Sequence, residues 1–207
     1  DVESVYEVPV NFERGKLGDR VLEKLSLKSK RRDLREWKRF VNTIKTAKKT
    51  VSIGIVGKYF DTGGFTLTDS YISVIEAVKS AAAHIGARPT ISWIDSKEFE
   101  KDPKKLASLS SYDGIIVPGG FGASGVEGKM GAIRFCREKK IPFLGLCYGL
   151  QLATIEFARN VCGMRDANST EIDAKTTHPV IDILPEQAAN VKEKKYGATM
   201  RLGNCTA

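Results

Sequence analysis

The feature that most constrains the fold is an alternation of short apolar segments with longer amphipathic ones, which begins near Val51. Four segments have the length and composition of buried strands. They are residues 51–57, 89–95, 112–120 and 141–147. Segments with apolar residues at helical spacing follow them, at 67–85, 129–137 and 149–161. This alternation predicts an open α/β sheet, mostly parallel, with helices on both faces.

The remaining carboxyl-terminal stretch, residues 162–207, is less regular, and only 178–184 and 198–202 have the composition of further strands. The chain has 207 residues, of which 42% are hydrophobic and 28% charged. These values exclude a disordered chain, a collagen and a disulfide-stapled miniprotein. No apolar run is long enough to span a bilayer, so no membrane partner is expected.

The leading segment differs in texture from the rest of the chain. Residues 1–18 contain Pro9 and two glycines and are interpreted as an extended linker. Residues 19–49 are charged, with apolar residues at helical spacing after Asp33, a plausible N-cap. Those apolar residues are Leu34, Trp37, Val41 and Ile44. We therefore expect an amino-terminal linker helix ahead of the sheet.

The positive charge is concentrated in this leading segment, which contributes +6 of the net charge of +8. A basic excess can serve nucleic acid, a membrane surface or an anionic nucleotide. Here few aromatic residues accompany the charge, which favours a solvated charged helix. No nucleic-acid partner is expected.

The four cysteines, Cys136, Cys147, Cys162 and Cys205, form no CxxC pair, and the chain has two histidines. A zinc site of ordinary ligand spacing is therefore not expected. Free thiols in a reducing cytoplasm fit this usage better than disulfides. Cys136 and Cys162 lie in or beside predicted helices and are expected in the core, while Cys205 is expected to be incidental.

The segment Gly145-Leu146-Cys147-Tyr148-Gly149 follows the fourth predicted strand and has the form of a nucleophile elbow with sulfur in place of the hydroxyl. A sharp strand-to-helix turn forces its central residue into a strained conformation, and the flanking glycines relieve crowding. The following helix points its amino terminus at the sulfur and favours a thiolate over a thiol. The Tyr148 N–H is then placed to bind an oxyanion.

A second glycine-rich segment, Pro118–Gly122, leaves the third predicted strand. If the third and fourth strands are neighbours, the Gly120 N–H can supply a second oxyanion donor. A thiolate with two backbone donors is suited to attack on a carboxamide or ester carbonyl. The alternative, that Cys147 is simply a small buried hydrophobe, is disfavoured by the glycines around it.

These residues resemble the class I, or triad, glutamine amidotransferases. Several segments are more narrowly similar to the glutaminase half of the CTP synthase family. They are VGKY (56–59), SVIEAV (73–78), VPGGFGASGVEGK (117–129), IPFLGLCYGLQ (141–151), ANSTE (167–171) and GATMRLG (197–203). The resemblance covers about residues 51–207 and implies a flavodoxin-like open sheet. It also implies that residues 1–49 are the tail of a synthase domain with an interdomain linker, and that 50–207 are the amidotransferase domain.

The resemblance implies roles for individual residues. Cys147 would form a glutamyl thioester, with oxyanion N–H groups from Gly120 and Tyr148. Gln151 and Glu171 would hold the two ends of glutamine. A carboxylate such as that of Glu171 is suited to pair with an α-ammonium group. Other residues implied in the glutamine site are Gly149 and Leu150, with the strand 199–203 nearby.

For the effector GTP, the resemblance implies a side of the site that includes Lys58, Glu127 and Gly128. The family makes CTP from UTP, ATP and glutamine with Mg²⁺, and GTP activates glutamine hydrolysis. The Mg²⁺ and ATP would be bound by the synthase domain, with no cofactor or metal in this domain. The resemblance also implies a homotetrameric parent enzyme in the cytoplasm.

The family's catalytic His and Glu lie beyond the TMRLG motif, so residues 1–207 alone are expected to be inactive. Neither histidine is a strong candidate for the missing base: His178 is expected at a surface or edge, and His84 in a structural or exposed position. Two alternatives stay open. One is another class I amidotransferase, which GTP activation would distinguish. The other is a non-catalytic flavodoxin-like scaffold, which measurable glutamine hydrolysis would exclude.

Overall fold

A computed structural model describes residues 2–29, 32–57, 71–120 and 124–183. The helices in this part of the chain are α1 (Val8–Arg14), α2 (Leu17–Lys24), α3 (Arg35–Thr46), α4 (Ile72–His84), α5 (Ser96–Lys101), α6 (Val126–Lys139) and α7 (Tyr148–Asn160). Two segments are 3-10 helical, Val5–Glu7 and Pro103–Ser111. The strands are β1 (Lys49–Gly57), β2 (Ala87–Asp95), β3 (Gly114–Val117), β4 (Phe143–Gly145), β5 (Asn168–Ser169) and β6 (Pro179–Ile181).

Four of these strands form one sheet in the order β2-β1-β3-β4. Strands β3 and β4 are parallel neighbours, with Ile115 opposite Phe143 and Val117 opposite Gly145. A second, two-stranded parallel sheet pairs β5 with β6. The predicted open α/β sheet, mostly parallel, is confirmed, and each of the four predicted strands overlaps an observed one.

The chain divides into two compact units by its internal contacts. The first comprises residues 1–53 and 71–91, and the second comprises 54–70 and 92–207. The second unit therefore holds β3, β4 and the carboxyl-terminal halves of β1 and β2. The functional boundary expected at residues 49 and 50 stays a prediction.

The first unit is organised around an aromatic cluster. The ring of Tyr6 packs edge-on against Phe40, with centroids 5.2 Å apart, and Trp37 lies 6.0 Å from both. The Trp37 Nε1–H donates to the carbonyl of Tyr6 at 2.8 Å, and the Tyr6 hydroxyl donates to Glu76 at 2.9 Å. The cluster thus ties the first turn of the chain to α3 and α4.

The prediction that residues 1–18 form an extended linker is wrong, because most of this segment is helical. Pro9 occupies the first turn of α1, where its missing N–H is not needed for a helical hydrogen bond. Gly15 is the C-cap of the same helix. The proline and the glycine therefore mark helix ends, not an extended chain. The predicted helix after Asp33 is confirmed as α3, although its N-cap is Leu34 and Asp33 accepts a hydrogen bond from the Arg35 N–H at 3.1 Å.

The second unit has a continuous apolar core between its sheet and helices α6 and α7. The fully buried members on the strands are Val56, Ile115 and Val117. The helices contribute Val126, Met130, Ile133, Cys136, Leu152 and Ile155. Side chains of α6 and α7 also meet through Arg137, which donates two hydrogen bonds to the buried carboxylate of Glu156 at 2.7 and 3.0 Å.

The cysteines divide by exposure. Cys136 is buried in α6, as predicted, and burial raises the pKa of its thiol to about 11. Cys147 is exposed. The expectation that Cys162 lies in the core is wrong, because α7 ends at Asn160 and Cys162 is exposed just beyond it. Cys205 lies outside the described residues.

Alkylation should separate these three thiols. With iodoacetamide at pH 8, we expect Cys147 and Cys162 to react at least about 100-fold faster than Cys136, because Cys136 is buried and mostly protonated at that pH. Peptide mapping by mass spectrometry at timed quenches measures the three rates in the natively folded protein. The matched control is the same protein in urea, where all three should react. Rapid labelling of Cys136 without urea would contradict the described core.

A glycine in α6 should prove indispensable for packing. A β-carbon at Gly128 would lie 1.9 Å from the carbonyl oxygen of Ser96, so Gly128→Ala should destabilise the fold by about 1–3 kcal/mol. Gly131→Ala, in the same helix, is the matched control. Its methyl group would meet Leu106 at an ordinary 3.5 Å, and the change should be neutral or stabilising by about 0.5–1 kcal/mol. Urea unfolding measures both, and equal stabilities of the two variants would contradict this packing.

Candidate active site

Cys147 lies in a tight turn between β4, which ends at Gly145, and α7, which begins at Tyr148. Its backbone has φ 53° and ψ −108°, an unfavourable conformation for a residue with a side chain. Cys147 is the N-cap of α7, so the N–H groups of the first helical turn cluster beside it. Its carbonyl accepts hydrogen bonds from the N–H groups of Leu150 and Gln151, at 3.1 and 3.2 Å. These features match the predicted nucleophile elbow.

The two flanking glycines make this turn possible. A β-carbon at Gly149 would lie 2.0 Å from the carbonyl oxygen of Val117, the last residue of β3. A β-carbon at Gly145 would lie 2.6 Å from the carbonyl carbon of Gly149. Neither position can accept a side chain without moving backbone. The glycines therefore allow α7 to begin directly against the ends of β3 and β4.

The glycine-rich segment after β3 lies beside this turn, as the sequence predicts. The Leu146 N–H donates to the carbonyl of Val117 at 2.9 Å and joins the ends of the two strands. A β-carbon at Gly119 would lie 3.7 Å from the β-carbon of Cys147. A β-carbon at Gly120 would lie 3.7 Å from the ring of Tyr148. The two residues expected to supply oxyanion N–H groups, Gly120 and Tyr148, are thus neighbours.

Glu171 is the most distant of the sequence-predicted glutamine ligands along the chain, and the structure brings it toward the start of α7. Burial raises the pKa of the Tyr148 hydroxyl to about 12, and the negative charge of Glu171 adds to that shift. The Glu171 N–H donates to the hydroxyl of the buried Ser169 at 3.2 Å. Arg159 of α7 anchors the same segment by donating from Nε to the carbonyl of Ala167 at 2.6 Å.

The remaining predicted glutamine ligands lie on the first turn of α7. Leu150 is exposed and Gln151 is half-buried, so both side chains have access to a ligand near the turn. Gly149 is buried against β3 and has a packing role in addition to any contact with a ligand. The strand predicted at 199–203 lies outside the described residues.

The residues expected on the effector side differ in their environments. Glu127 is exposed, with an oxygen 3.5 Å from Arg159 Nη1. Gly128 is buried, and its N–H donates to Glu100 at 3.3 Å. Lys58 lies outside the described residues. The effector role of all three stays a prediction.

The two histidines have the expected surface character. His178 is exposed, with Nδ1 2.6 Å from Asp166. The hydroxyl of Thr177 and the His178 ring hold the pKa of the Asp166 carboxyl well below its usual range. The exposed His84 bonds through Nδ1 to the carbonyl of Ser80 at 2.7 Å. Within the described ranges, no group of three His, Cys, Asp or Glu residues could hold a metal ion, and no helix has the length and apolar character needed to cross a membrane.

Sequence reasoning gave no place in the oxyanion region to Lys129, a residue of α6 that is only 1% exposed. Its Nζ lies 5.4 Å from the centroid of the Tyr148 ring. A β-carbon at Gly120 would lie 3.4 Å from the same Nζ. A signal was present in the sequence, because Lys129 falls three residues after Val126 and four before Ile133, on the apolar face of α6.

Comparison with known proteins agrees with this geometry. The family model described as glutamine amidotransferase class-I matches residues 66–204. A CTP synthase from Sulfurisphaera tokodaii is 48% identical over 99% of this chain, and one from Saccharolobus solfataricus is 50% identical over 98% of it. The chain spans 37% of the length of each of these two curated relatives.

Among solved structures, the chain is similar to the glutaminase domain of Trypanosoma brucei CTPS with bound acivicin. The TM-score is 0.60 and the identity 39%, over 66% of this chain and 51% of the other. The likeness in structure and the family match over two thirds of the sequence lead to one conclusion. The chain belongs to the class-I glutamine amidotransferase family.

Proposed function

We propose that this chain is the glutaminase part of a CTP synthase, which hydrolyses L-glutamine and supplies ammonia for the ATP-dependent amination of UTP to CTP. The observation that carries the proposal is the exposed Cys147 in the strained turn at the start of α7, with Gly120 and Tyr148 beside it. The near-full-length similarity of this chain to CTP synthases supports the choice among amidotransferases.

In the proposed reaction the sulfur of Cys147 attacks the carboxamide carbon of glutamine. The N–H groups of Gly120 and Tyr148 stabilise the negative charge that develops on the carbonyl oxygen. The C–N bond then breaks, the departing nitrogen takes up the thiol proton, and ammonia leaves a glutamyl thioester on Cys147. Water hydrolyses the thioester and returns glutamate and the free thiol.

The carboxylate of Glu171, near the start of α7, suits the amino end of glutamine. The carboxylate of Glu171 would bind the α-ammonium group of glutamine, because the two charges are opposite. Leu150 and Gln151 would line the same side, on the first turn of the helix. Their accessible side chains support this arrangement.

The wider setting belongs to the proposal as well. GTP would activate the hydrolysis. The side of the site that faces this effector would include Lys58, Glu127 and Gly128. A synthase domain would bind ATP and Mg²⁺, with residues 1–49 as its tail and linker, and the whole enzyme would be a cytoplasmic homotetramer. The free thiols of the described residues support a reducing compartment.

The decisive test replaces the nucleophile in the full-length protein. Cys147→Ser should lower glutamine-dependent CTP formation by about a thousandfold or more, because the thioester can no longer form at a comparable rate. CTP formation from added ammonia should stay within twofold of the wild type. Cys162→Ser, the matched control at another exposed thiol, should leave both activities unchanged.

Two further measurements tie the loss of activity to Cys147 and to a CTP synthase. Treatment with acivicin should add one mass increment to the wild type and to Cys162→Ser, located on Cys147 by peptide mapping, and none to Cys147→Ser. GTP should raise the glutamine-dependent rate but not the ammonia-dependent rate. Wild-type glutamine hydrolysis by Cys147→Ser would refute the proposed nucleophile, and a full-length protein that makes no CTP from ammonia would point to another amidotransferase.

A further inference from the structure

Lys129 is a charged residue type in a position that physical chemistry disfavours. It is the fourth residue of α6, its side chain is buried, and its backbone N–H donates to the carbonyl of Gly125 at 3.1 Å. Lysines are almost never fully buried, because removal of an ammonium group from water is costly. A lysine at such a position therefore calls for a local reason.

The surroundings of the ammonium group supply one. Nζ lies over the ring of Tyr148, 5.4 Å from its centroid. It also lies 3.4 Å from the point where a β-carbon of Gly120 would stand. Gly120 and Tyr148, whose N–H groups would bind the developing oxyanion, thus both lie close to the buried ammonium group of Lys129. Cation–π attraction favours the Tyr148 ring in this place.

We propose that Lys129 is a positioning residue for the oxyanion site. Its ammonium group holds the Gly120 peptide and the Tyr148 ring in the geometry that aims their N–H groups at one point. Its positive charge, in a low-dielectric region, also favours negative charge developing there. The inference rests on the proposed glutaminase function, because only a reaction through an oxyanion would use this arrangement.

The burial of Lys129 also separates it from the effector side expected for its neighbours. Glu127, two residues earlier, is exposed and can meet a solvent-borne ligand. The side chain of Lys129 instead extends into the unit toward Tyr148. Glu127 and Lys129 therefore lie on opposite faces of α6.

The test compares two reactions of the same thiol. Acyl transfer from glutamine passes through an oxyanion, whereas alkylation of Cys147 by iodoacetamide does not. Lys129→Met removes the charge and keeps much of the side-chain length. In the full-length protein we expect it to lower kcat for glutamine hydrolysis by about 10- to 100-fold. KM should change less than threefold, and the alkylation rate of Cys147 less than twofold.

A second variant distinguishes charge from packing. Lys129→Arg keeps the positive charge and should retain at least ten times the kcat of Lys129→Met. If Lys129→Met does not fold, as judged by circular dichroism and urea unfolding, Lys129→Gln takes its place in the same comparison. Gly131→Ala, elsewhere on α6, is the control for effects of any change in this helix.

The outcomes separate this inference from the proposed function. Wild-type kcat in Lys129→Met, or an equal fall in hydrolysis and in alkylation, would overturn the positioning role and leave the glutaminase standing. Equal loss of kcat in Lys129→Met and Lys129→Arg would overturn the role of the charge. Absence of glutamine hydrolysis in the wild-type full-length protein would refute the proposed function itself, before any variant is compared.

Discussion

The close approach of α7 to the end of β3 is the constraint on which the candidate site depends. The carbonyl oxygen of Val117 occupies the space that a side chain at Gly149 would need. Because the helix begins this close to the strand, the chain has no room for a relaxed turn, and Cys147 takes a positive φ. The same approach sets the Gly119–Gly120 segment beside Tyr148. One contact between backbone atoms thus fixes the nucleophile and its neighbours together.

Much of this arrangement can be predicted from the sequence, because it rests on local geometry. The glycines at 145 and 149 around Cys147 predict the elbow, and the apolar segment ending in Gly119 and Gly120 predicts the adjoining loop. Both predictions depend on strands of ordinary length and on the rule that ligands bind at their carboxyl ends. The structure places these segments side by side because β3 and β4 are parallel neighbours.

The predictions that were wrong depended on context that spacing does not carry. Pro9 and Gly15 are as compatible with helix ends as with an extended linker. In the structure they mark the ends of α1, and Tyr6, just before this helix, packs against Phe40 of α3. The sequence predicts Cys162 in the core because of the predicted helix next to it, but α7 ends two residues before Cys162. The effect of Glu171 on Tyr148 requires the fold to bring together residues that lie 23 positions apart. Sequence pattern alone does not give the distance in space between these two residues.

Two charged residues, Glu156 and Lys129, are buried at the contact of α6 with α7, and the free-energy cost of their burial has a different explanation in each case. Glu156 is 1% exposed and receives two hydrogen bonds from Arg137, which is sufficient reason for its burial. It lies eight residues after Tyr148, about 12 Å along the helix from the site. Lys129 is equally buried, but it lies at the opposite end of this helix pair, over the Tyr148 ring. Burial of Glu156 is explained by cohesion between the helices, whereas burial of Lys129 places a positive charge where the proposed reaction develops a negative one.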